Sequence, residues 1–303
     1  MAAEAVANNA SAAPRTRTLW GDAFRRLRRN RLAVVSAVWI LIVIVIALTA
    51  DLWAQAWLGS PTASDSTTMA QTALLAPSAE HPFGTDQLGR DILVRVIYGA
   101  RISLSVGVMA TLISTAIGLV MGAVAAYYGG IWDTIVMRLA DTFLAFPYVL
   151  FVLAMIAALG QGIQNVFIAI GILGWPQIAR VFRSAILTVK ENDYVDAARA
   201  MGASDLRIIV RHIFPNSVAS IVVYATMSIG GAILTEAALS FLGMGVVPPE
   251  PSWGSMIQMG QQYLTNAPWM MIMPGLAILS TVLAFTLLGN GLRDALDVKM
   301  KDA

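Results

Sequence analysis

The sequence predicts an all-α integral membrane protein with about six transmembrane helices. Of its 303 residues, 57% are hydrophobic and only 13% are charged, and the mean hydropathy is +0.70. A soluble domain of this size carries roughly twice that fraction of charged residues. The apolar residues also fall in long runs, and each run approaches the ~20 residues that a helix needs to cross the hydrocarbon core.

Six apolar runs divide the chain into a tail, a membrane domain and a second tail. Residues 1–31 form the N-terminal tail, which is predicted to be disordered up to residue 18 because it is rich in Ala, Asn, Ser and Thr. Residues 32–290 form the membrane domain, and residues 291–303 form the C-terminal tail. The predicted spans are Leu32–Leu52, Ile102–Tyr127, Ile135–Leu159, Val166–Phe182, Val218–Leu242 and Met270–Leu288.

The first run follows a cluster of arginines, as the apolar part of a signal peptide does. It is nevertheless long enough to cross the bilayer, so residues 32–52 are predicted to be a retained first helix. Six spans put both tails on one side of the membrane. Of the 20 Lys and Arg residues, only Arg90, Arg95 and Arg101 then fall on the other side. Positive charge accumulates on the cytoplasmic side, which predicts that both termini are cytoplasmic.

This orientation gives an external loop at residues 53–101 and a cytoplasmic loop at residues 184–216. In the external loop, Thr85 or Asp86 is a candidate N-cap for a short helix that runs to Tyr98. That helix either lies on the membrane surface or serves as a docking element for an external partner. In the second span, Gly118 and Gly122 predict close helix packing.

Several kinds of chemistry lack the residues they need. The chain has no cysteine and two histidines, which disfavours a metal site. A phosphate-binding loop requires Gly-Lys, and none of Lys190, Lys299 and Lys301 follows a glycine. No hydrolytic triad is recognisable. The chain is therefore predicted not to be an enzyme and to bind no cofactor of its own.

Acidic residues inside the spans are few. Asp141 lies one helical turn after Arg138, which predicts a local ion pair between them. Glu236 has no basic neighbour in sequence, so it either faces a water-filled substrate pathway or makes a structural contact near the outer end. Two acids are few for a proton or sodium relay.

The cytoplasmic loop has the pattern of two short helices. The first is predicted from Tyr194 to Met201, Gly202 makes the bend, and the second begins at an N-capping Ser204 and ends before Pro215. Such a pair either docks into a groove on another protein or is merely a solvated loop.

In this loop Asp196-Ala197-Ala198 is followed by Gly202 and then by Ile213-Phe214-Pro215. The pattern resembles the Glu-Ala-Ala loop of bacterial ABC-importer permeases. Asp196 stands where the family usually has Glu. Four further strings resemble the C-type permease of dipeptide and oligopeptide importers: His-Pro-Phe-Gly-Thr-Asp-Gln-Leu-Gly-Arg-Asp at 81–91, Tyr-Gly-Ala-Arg-Ile-Ser-Leu at 98–104, Leu-Ser-Phe-Leu-Gly-Met-Gly at 239–245 and Gly-Asn-Gly-Leu-Arg-Asp-Ala-Leu-Asp at 289–297. In the last string, Asn290 replaces a more usual Asp, and the following Val298 replaces a common Pro.

The resemblance implies the type I fold of ABC-importer permeases and a place in the bacterial inner (plasma) membrane. It implies a heterodimer with a sister permease, two ATPase subunits that hold ATP and Mg, and an extracytoplasmic substrate-binding protein. Membrane lipid surrounds such a complex, and nucleic acid is not a partner. The implied cargo is a dipeptide or oligopeptide, with nickel chelates, glutathione or oligosaccharides as alternatives. The residues implied to dock the ATPase are Tyr194, Asp196, Ala197, Ala198, Met201 and Gly202.

Two readings from other classes stay open at this point. An ion-coupled secondary transporter would use an ion gradient and need no ATPase partner. A membrane scaffold would transport nothing, and the two-helix cytoplasmic loop argues against it.

Overall fold

The computed structural model describes residues 19–53 and 69–296. Within these two ranges the chain folds into helices, and its one extended pairing is an isolated antiparallel bridge between Thr85 and Asp91. The tail predicted at residues 1–18 and part of the external loop lie outside the described residues. The predicted all-α class is confirmed.

The helices differ widely in length, from single turns to continuous rods that exceed the thickness of a bilayer. In chain order they are α1 (Leu19–Arg29), α2 (Arg31–Leu48), α3 (Ala50–Trp53), α4 (Met69–Thr72), α5 (Ile92–Tyr128), α6 (Gly130–Ala145), α7 (Tyr148–Leu159), α8 (Ile163–Lys190), α9 (Asp193–Ala200), α10 (Asp205–Ile208), α11 (Phe214–Phe241), α12 (Trp253–Gly260) and α13 (Trp269–Leu296). Five of these elements are long and apolar enough to span a membrane: α2, α5, α8, the continuous α10–α11 rod and α13.

The second span starts earlier than the sequence predicts. Asp91 is the N-cap of α5, and its Oδ1 accepts a hydrogen bond from the Val94 amide at 3.1 Å. The helix then runs without a break to Tyr128. The prediction of a separate short helix capped by Thr85 or Asp86 is therefore wrong, because both residues are buried in the loop before α5.

The predicted third span, Ile135–Leu159, is broken. Its two halves, α6 and α7, meet at an angle of 90° around Phe146 and Pro147. Phe146 has an extended backbone, as expected of a residue before proline. The apolar composition of the run gives no sign of this bend.

The bent pair carries the chain from one end of the molecule to the other, because α5 and α8 run parallel. Ser114 of α5 donates to the Gly171 carbonyl of α8 at 2.8 Å. Two turns further along both helices, Gly122 faces Ala179 and Phe182. The chain therefore has to return between the end of α5 and the start of α8, which makes the pair a sixth crossing.

Both ends of the described chain lie at the same end of the molecule. Gly291, near the end of α13, packs against Leu27 of α1 and against Asn30 and Ala33 at the start of α2. We call this end, which carries the arginines of α1, the basic end. At the opposite end, Asp51 beyond α2 pairs with Arg101 of α5 at 3.0 Å.

The second helix of the predicted loop does not stop before Pro215. A π-helical turn at Ile209–Ile213 joins α10 to α11, and Pro215 occupies a first-turn position of α11, where no amide donor is needed. The prediction that this helix ends before Pro215 is wrong. The rod instead continues through the proline as the fifth crossing.

Candidate functional site

Residues 191–213 form a compact knob at the basic end of the molecule. Its core is apolar, because Val195 and Ala198 of α9 and Ile208 of α10 pack with residues of α5 and α8. Tyr127, at the end of α5, donates its hydroxyl hydrogen to the Asp205 carboxylate at 2.6 Å. The knob is thereby fixed to the transmembrane helices.

Polar contacts also fix the start of the knob. The ammonium group of Lys190, at the end of α8, donates to the Tyr127 carbonyl at 2.7 Å and lies 5.6 Å from the centre of the Tyr127 ring. The Asn192 side chain donates to the Val189 carbonyl at 2.9 Å. Lys190 and Tyr127 therefore join the ends of α5 and α8 directly under the knob.

The outward side of the knob exposes apolar side chains. The Met201 side chain is 82% exposed and that of Leu206 is 72% exposed, and Tyr194 and Val210 are also exposed. Exposed apolar residues grouped in a short segment are typical of a protein contact. Sequence reasoning identified Tyr194 and Met201 but missed Leu206 and Val210, which it placed on a helix without assigning their face.

The other predicted docking residues fall on two sides of the knob. Asp196 is exposed and pairs with Arg199 one turn later at 3.0 Å, and Ala197 is exposed beside it. Gly202 has a φ of +78°, and a side chain added there would point into open space. Ala198 is buried instead, and it packs α9 against residues of α5 and α8.

A cavity of about 1260 Å³ opens along the face formed by α5, α7, α8, α11 and α13. It extends from Arg293 near the basic end to Thr235, and hydroxyl groups are spread along it. Thr111 lines it with a buried hydroxyl that has no hydrogen-bond partner among the described residues. The Tyr148 hydroxyl donates to the Ile170 carbonyl at 3.0 Å in its wall.

Among the residues that the structure describes, no group of three or more His, Asp and Glu side chains is placed to hold a metal ion. The candidate site consists of the knob and a mostly apolar cavity with scattered hydroxyl groups that starts near the same end. This combination suits the passage of a solute under the control of a second protein.

Two family profiles match the chain. Residues 114–302 match the binding-protein-dependent transport system inner membrane component, and residues 18–77 match the N-terminal transmembrane domain of oligopeptide transport permease C. The chain belongs to the binding-protein-dependent transport permease family. It is a permease of an ABC importer, which confirms the resemblance noted in the sequence and decides against an ion-coupled carrier.

Curated relatives cover nearly the whole permease. It is 45% identical over 285 residues to the glutathione transport system permease protein GsiD of Escherichia coli O6:K15:H31 (strain 536 / UPEC), covering 94% of this chain and 92% of that protein. It is 44% identical over 282 residues to the dipeptide transport system permease protein DppC of Alkalihalophilus pseudofirmus, covering 93% and 90%.

Solved structures share the fold of the permease. A chain of the MetNI methionine ABC transporter in an inward-facing conformation superimposes with a TM-score of 0.57 at 20% identity, covering 68% of the permease and 98% of that chain. A chain of an amino acid ABC transporter crystallised with histidines gives 0.53 at 16% identity, covering 67% and 95%. The expected importer-permease fold is confirmed.

Glu236 lies near the opposite end of the permease and does not face the cavity. Its side chain is fully buried, and its carboxylate accepts hydrogen bonds from Ser240 at 2.7 Å and from Ser103 at 3.0 Å. Ser252 donates in turn to Ser240 at 3.3 Å. In this conformation Glu236 therefore joins α11 to α5 and to the start of α12.

Asp141 is paired differently from the sequence prediction. Its carboxylate contacts Arg180 of α8 and not Arg138. A second ion pair joins the same two helices, because Arg183 donates to both carboxylate oxygens of Asp133 at 2.5 and 2.6 Å. The predicted local pair with Arg138 is wrong, because α6 lies alongside α8 and brings a distant arginine closer.

Proposed function

We propose that this permease forms half of the translocation pathway of an importer for short peptides, together with a related sister permease. In this proposal an extracytoplasmic binding protein delivers the cargo. Two ATPase subunits hold ATP and Mg and dock on the knob. Both termini lie in the cytoplasm, so the basic end is the cytoplasmic end.

The observation that carries the proposal is the fixed, apolar-faced knob. Its exposed residues Met201, Leu206 and Tyr194 suit a groove on an ATPase subunit, while Val195 and Ala198 anchor it to the membrane helices. Movement of the ATPase subunits would reach α5, α8 and α11 through this anchor. Ala197, Asp196 and Gly202 belong to the exposed side in this assignment, and Ala198 belongs to the anchor.

Peptide cargo is proposed from the relatives and from the cavity. The relatives are named for dipeptide and glutathione transport. The cavity of about 1260 Å³ exceeds the usual volume of a small-molecule site, and a sister permease would close its open side. Its hydroxyls, including the unpartnered Thr111, offer donors and acceptors to peptide groups.

In this proposal Glu236 does not contact the cargo but supports the structure around the pathway. Its burial and its hydroxyl partners suit a residue that holds the opposite end of the permease together, so cargo contacts are assigned to the cavity residues. Transport of nickel chelates or oligosaccharides is not favoured by any feature of the cavity.

Gly202→Asp tests docking at the knob. We expect this variant to lose ATPase subunits and uptake while it still inserts in the membrane, because the new carboxylate projects from the contact surface. Gly243→Asp is a matched control at the opposite end, since Gly243 has the same φ of +78° and equally open surroundings. The two substitutions therefore carry the same backbone strain.

The measurement is the amount of ATPase subunit that co-purifies with each tagged variant at equal membrane content. Retention with Gly243→Asp and loss with Gly202→Asp support docking at the knob. Equal retention in both variants contradicts it. Uptake of labelled dipeptide and of labelled glutathione by vesicles that hold the whole importer then distinguishes the two cargoes.

A further inference from the structure

Helix α1 is a separate helix whose inner side is fixed to the body of the permease. It ends at Arg29, because Asn30 has an extended backbone and interrupts the helix. Asn30 is also the N-cap of α2, since its Oδ1 accepts a hydrogen bond from the Ala33 amide at 3.2 Å. Ala23 is buried against the body, and Leu27 packs near Gly291 of α13. This side of α1 is thus already occupied.

The outward side of α1 is strongly basic. Arg25, Arg28, Arg29 and Arg31 are all exposed, and no ion pair links any of them to a described acidic side chain. Four neighbouring guanidinium groups that form no ion pair with the described acidic side chains repel one another and attract anions. The surface therefore favours a ligand that carries several negative charges or many ligands that carry one.

The same surface contains an exposed aromatic ring. Phe24 is 61% exposed, and the guanidinium carbon of Arg28 lies 5.6 Å from the centre of its ring. Phe24 and Arg28 are one helical turn apart, so an apolar group and a cation are presented side by side. A soluble anion needs the cation but gains nothing from the ring.

Helix α1 also lies next to the start of a transmembrane helix, where the membrane surface is expected. The apolar span α2 begins at Arg31, directly after the break, and its Leu32 and Val35 are exposed. The boundary of the hydrocarbon therefore lies within about a turn of the end of α1. Basic amphipathic helices with an exposed aromatic residue are typical of the lipid–water interface.

We propose that α1 is a binding site for anionic phospholipids in the leaflet where α2 begins. In this site Arg25, Arg28 and Arg29 bind the phosphate groups and Phe24 inserts among the acyl chains. The proposal does not depend on the cargo, the ATPase or the naming of the leaflet.

The test compares lipid binding by the full-length permease, purified with its partners in a mild non-ionic detergent. The protein is mixed with equal amounts of phosphatidylglycerol and phosphatidylcholine, and bound lipids are counted by native mass spectrometry. We expect a preference for phosphatidylglycerol. The triple variant Arg25→Gln/Arg28→Gln/Arg29→Gln is expected to lose this preference, since each arginine near an anionic surface contributes about fivefold in affinity.

Two control variants separate charge from the apolar contact. Arg25→Lys/Arg28→Lys/Arg29→Lys keeps the charge and is expected to retain the preference. Phe24→Ser keeps every arginine and is expected to bind phosphatidylglycerol more weakly. Excess inorganic phosphate distinguishes the two sources of phosphate: a lipid site keeps its phosphatidylglycerol, whereas a site for free phosphate releases it.

Three outcomes would overturn the proposal. They are equal binding of the two lipids by the unmodified permease, undiminished binding of phosphatidylglycerol by the triple Gln variant, and displacement by phosphate. If the triple Gln variant fails to fold, the unmodified permease, the triple Lys variant and Phe24→Ser still decide the question.

Discussion

At the scale of single residues, the least expected arrangement is the carboxylate of Glu236 inside a group of serine hydroxyls. Glu236 has no basic neighbour in sequence, and no ion pair within residues 19–53 and 69–296 includes it. Its partner Ser240 lies one turn later on the same helix, but Ser103 is 133 residues away and could not be identified from the sequence. Trp253 adds a second contact between α12 and α5, since its indole nitrogen donates to the Val96 carbonyl at 2.9 Å.

Replacing Glu236 separates hydrogen bonding from charge. Glu236→Leu leaves Ser103 and Ser240 without their acceptor, so we expect the free energy of unfolding to fall by about 1–3 kcal/mol. Glu236→Gln keeps an acceptor and removes the charge, so it should lie close to the unmodified permease. Thermal unfolding of the purified variants in detergent measures both. Equal losses for Leu and Gln would instead mean that the charge itself is required.

The ion pair of Asp141 differs from the one that its position in the sequence predicts. Asp141 was predicted to pair with Arg138 because the two are one turn apart, yet its partner is Arg180. Sequence spacing predicts ion pairs only between residues of the same helix. The approach of α6 to α8 depends on the bend at Pro147, for which the proline inside the run, and not its hydropathy, is the sequence signal.

At the scale of helices, the predicted close packing of the second span is confirmed. A Cβ added at Gly122 would lie 2.7 Å from the Ala179 carbonyl oxygen, and one added at Gly118 would lie 2.7 Å from Ile178. Small residues let two helix backbones approach, which matters in lipid because apolar burial gives little drive for association. These two glycines therefore set the distance between α5 and α8.

Gly122→Ala is expected to destabilise the permease by about 1–3 kcal/mol, because the backbone of α8 cannot move away from the new methyl group without loss of packing. Gly275→Ala is the matched control. Gly275 also lies inside a helix, but nothing is within 4 Å of an added Cβ, so alanine should be neutral or stabilising there. The measurement is the midpoint of thermal unfolding of each purified variant, which should be lower for Gly122→Ala than for Gly275→Ala. Similar midpoints would contradict close packing at Gly122.

Helix boundaries were predicted less well than helices, for two physical reasons. The sequence predicts that the second span starts at Ile102, whereas α5 starts at Ile92 and includes Arg95 and Arg101. Arg95 is in fact buried, with its Nε 3.6 Å from Asp86 Oδ2. Pro215 predicts the end of a helix, but a π-helical turn at Ile209–Ile213 places this proline in a first turn, where a helix tolerates it.

At the scale of the whole molecule, the number of crossings follows from helix directions and not from hydropathy alone. In the described part of the chain, five helices qualify by length and composition. The bent α6–α7 pair is the sixth crossing because α5 and α8 run parallel. With six crossings, the start of α2 and the end of α13 share one end of the molecule, as Gly291 and Ala33 show directly. The side of the membrane that this end faces stays a prediction from the distribution of arginine and lysine.

Single cysteines can test that orientation directly, because the chain has no cysteine of its own. Met201→Cys reports the knob, and Leu264→Cys reports the loop between α12 and α13 at the opposite end; both side chains are well exposed. A membrane-impermeant maleimide should label Leu264→Cys in right-side-out vesicles and Met201→Cys only in inside-out vesicles. The reverse pattern would place both termini outside, and labelling of both sites from one side would contradict the number of crossings. In inside-out vesicles that hold the two permeases without ATPase subunits, added ATPase subunits should also protect Met201→Cys from the reagent, and unchanged labelling of Met201→Cys would contradict docking at the knob.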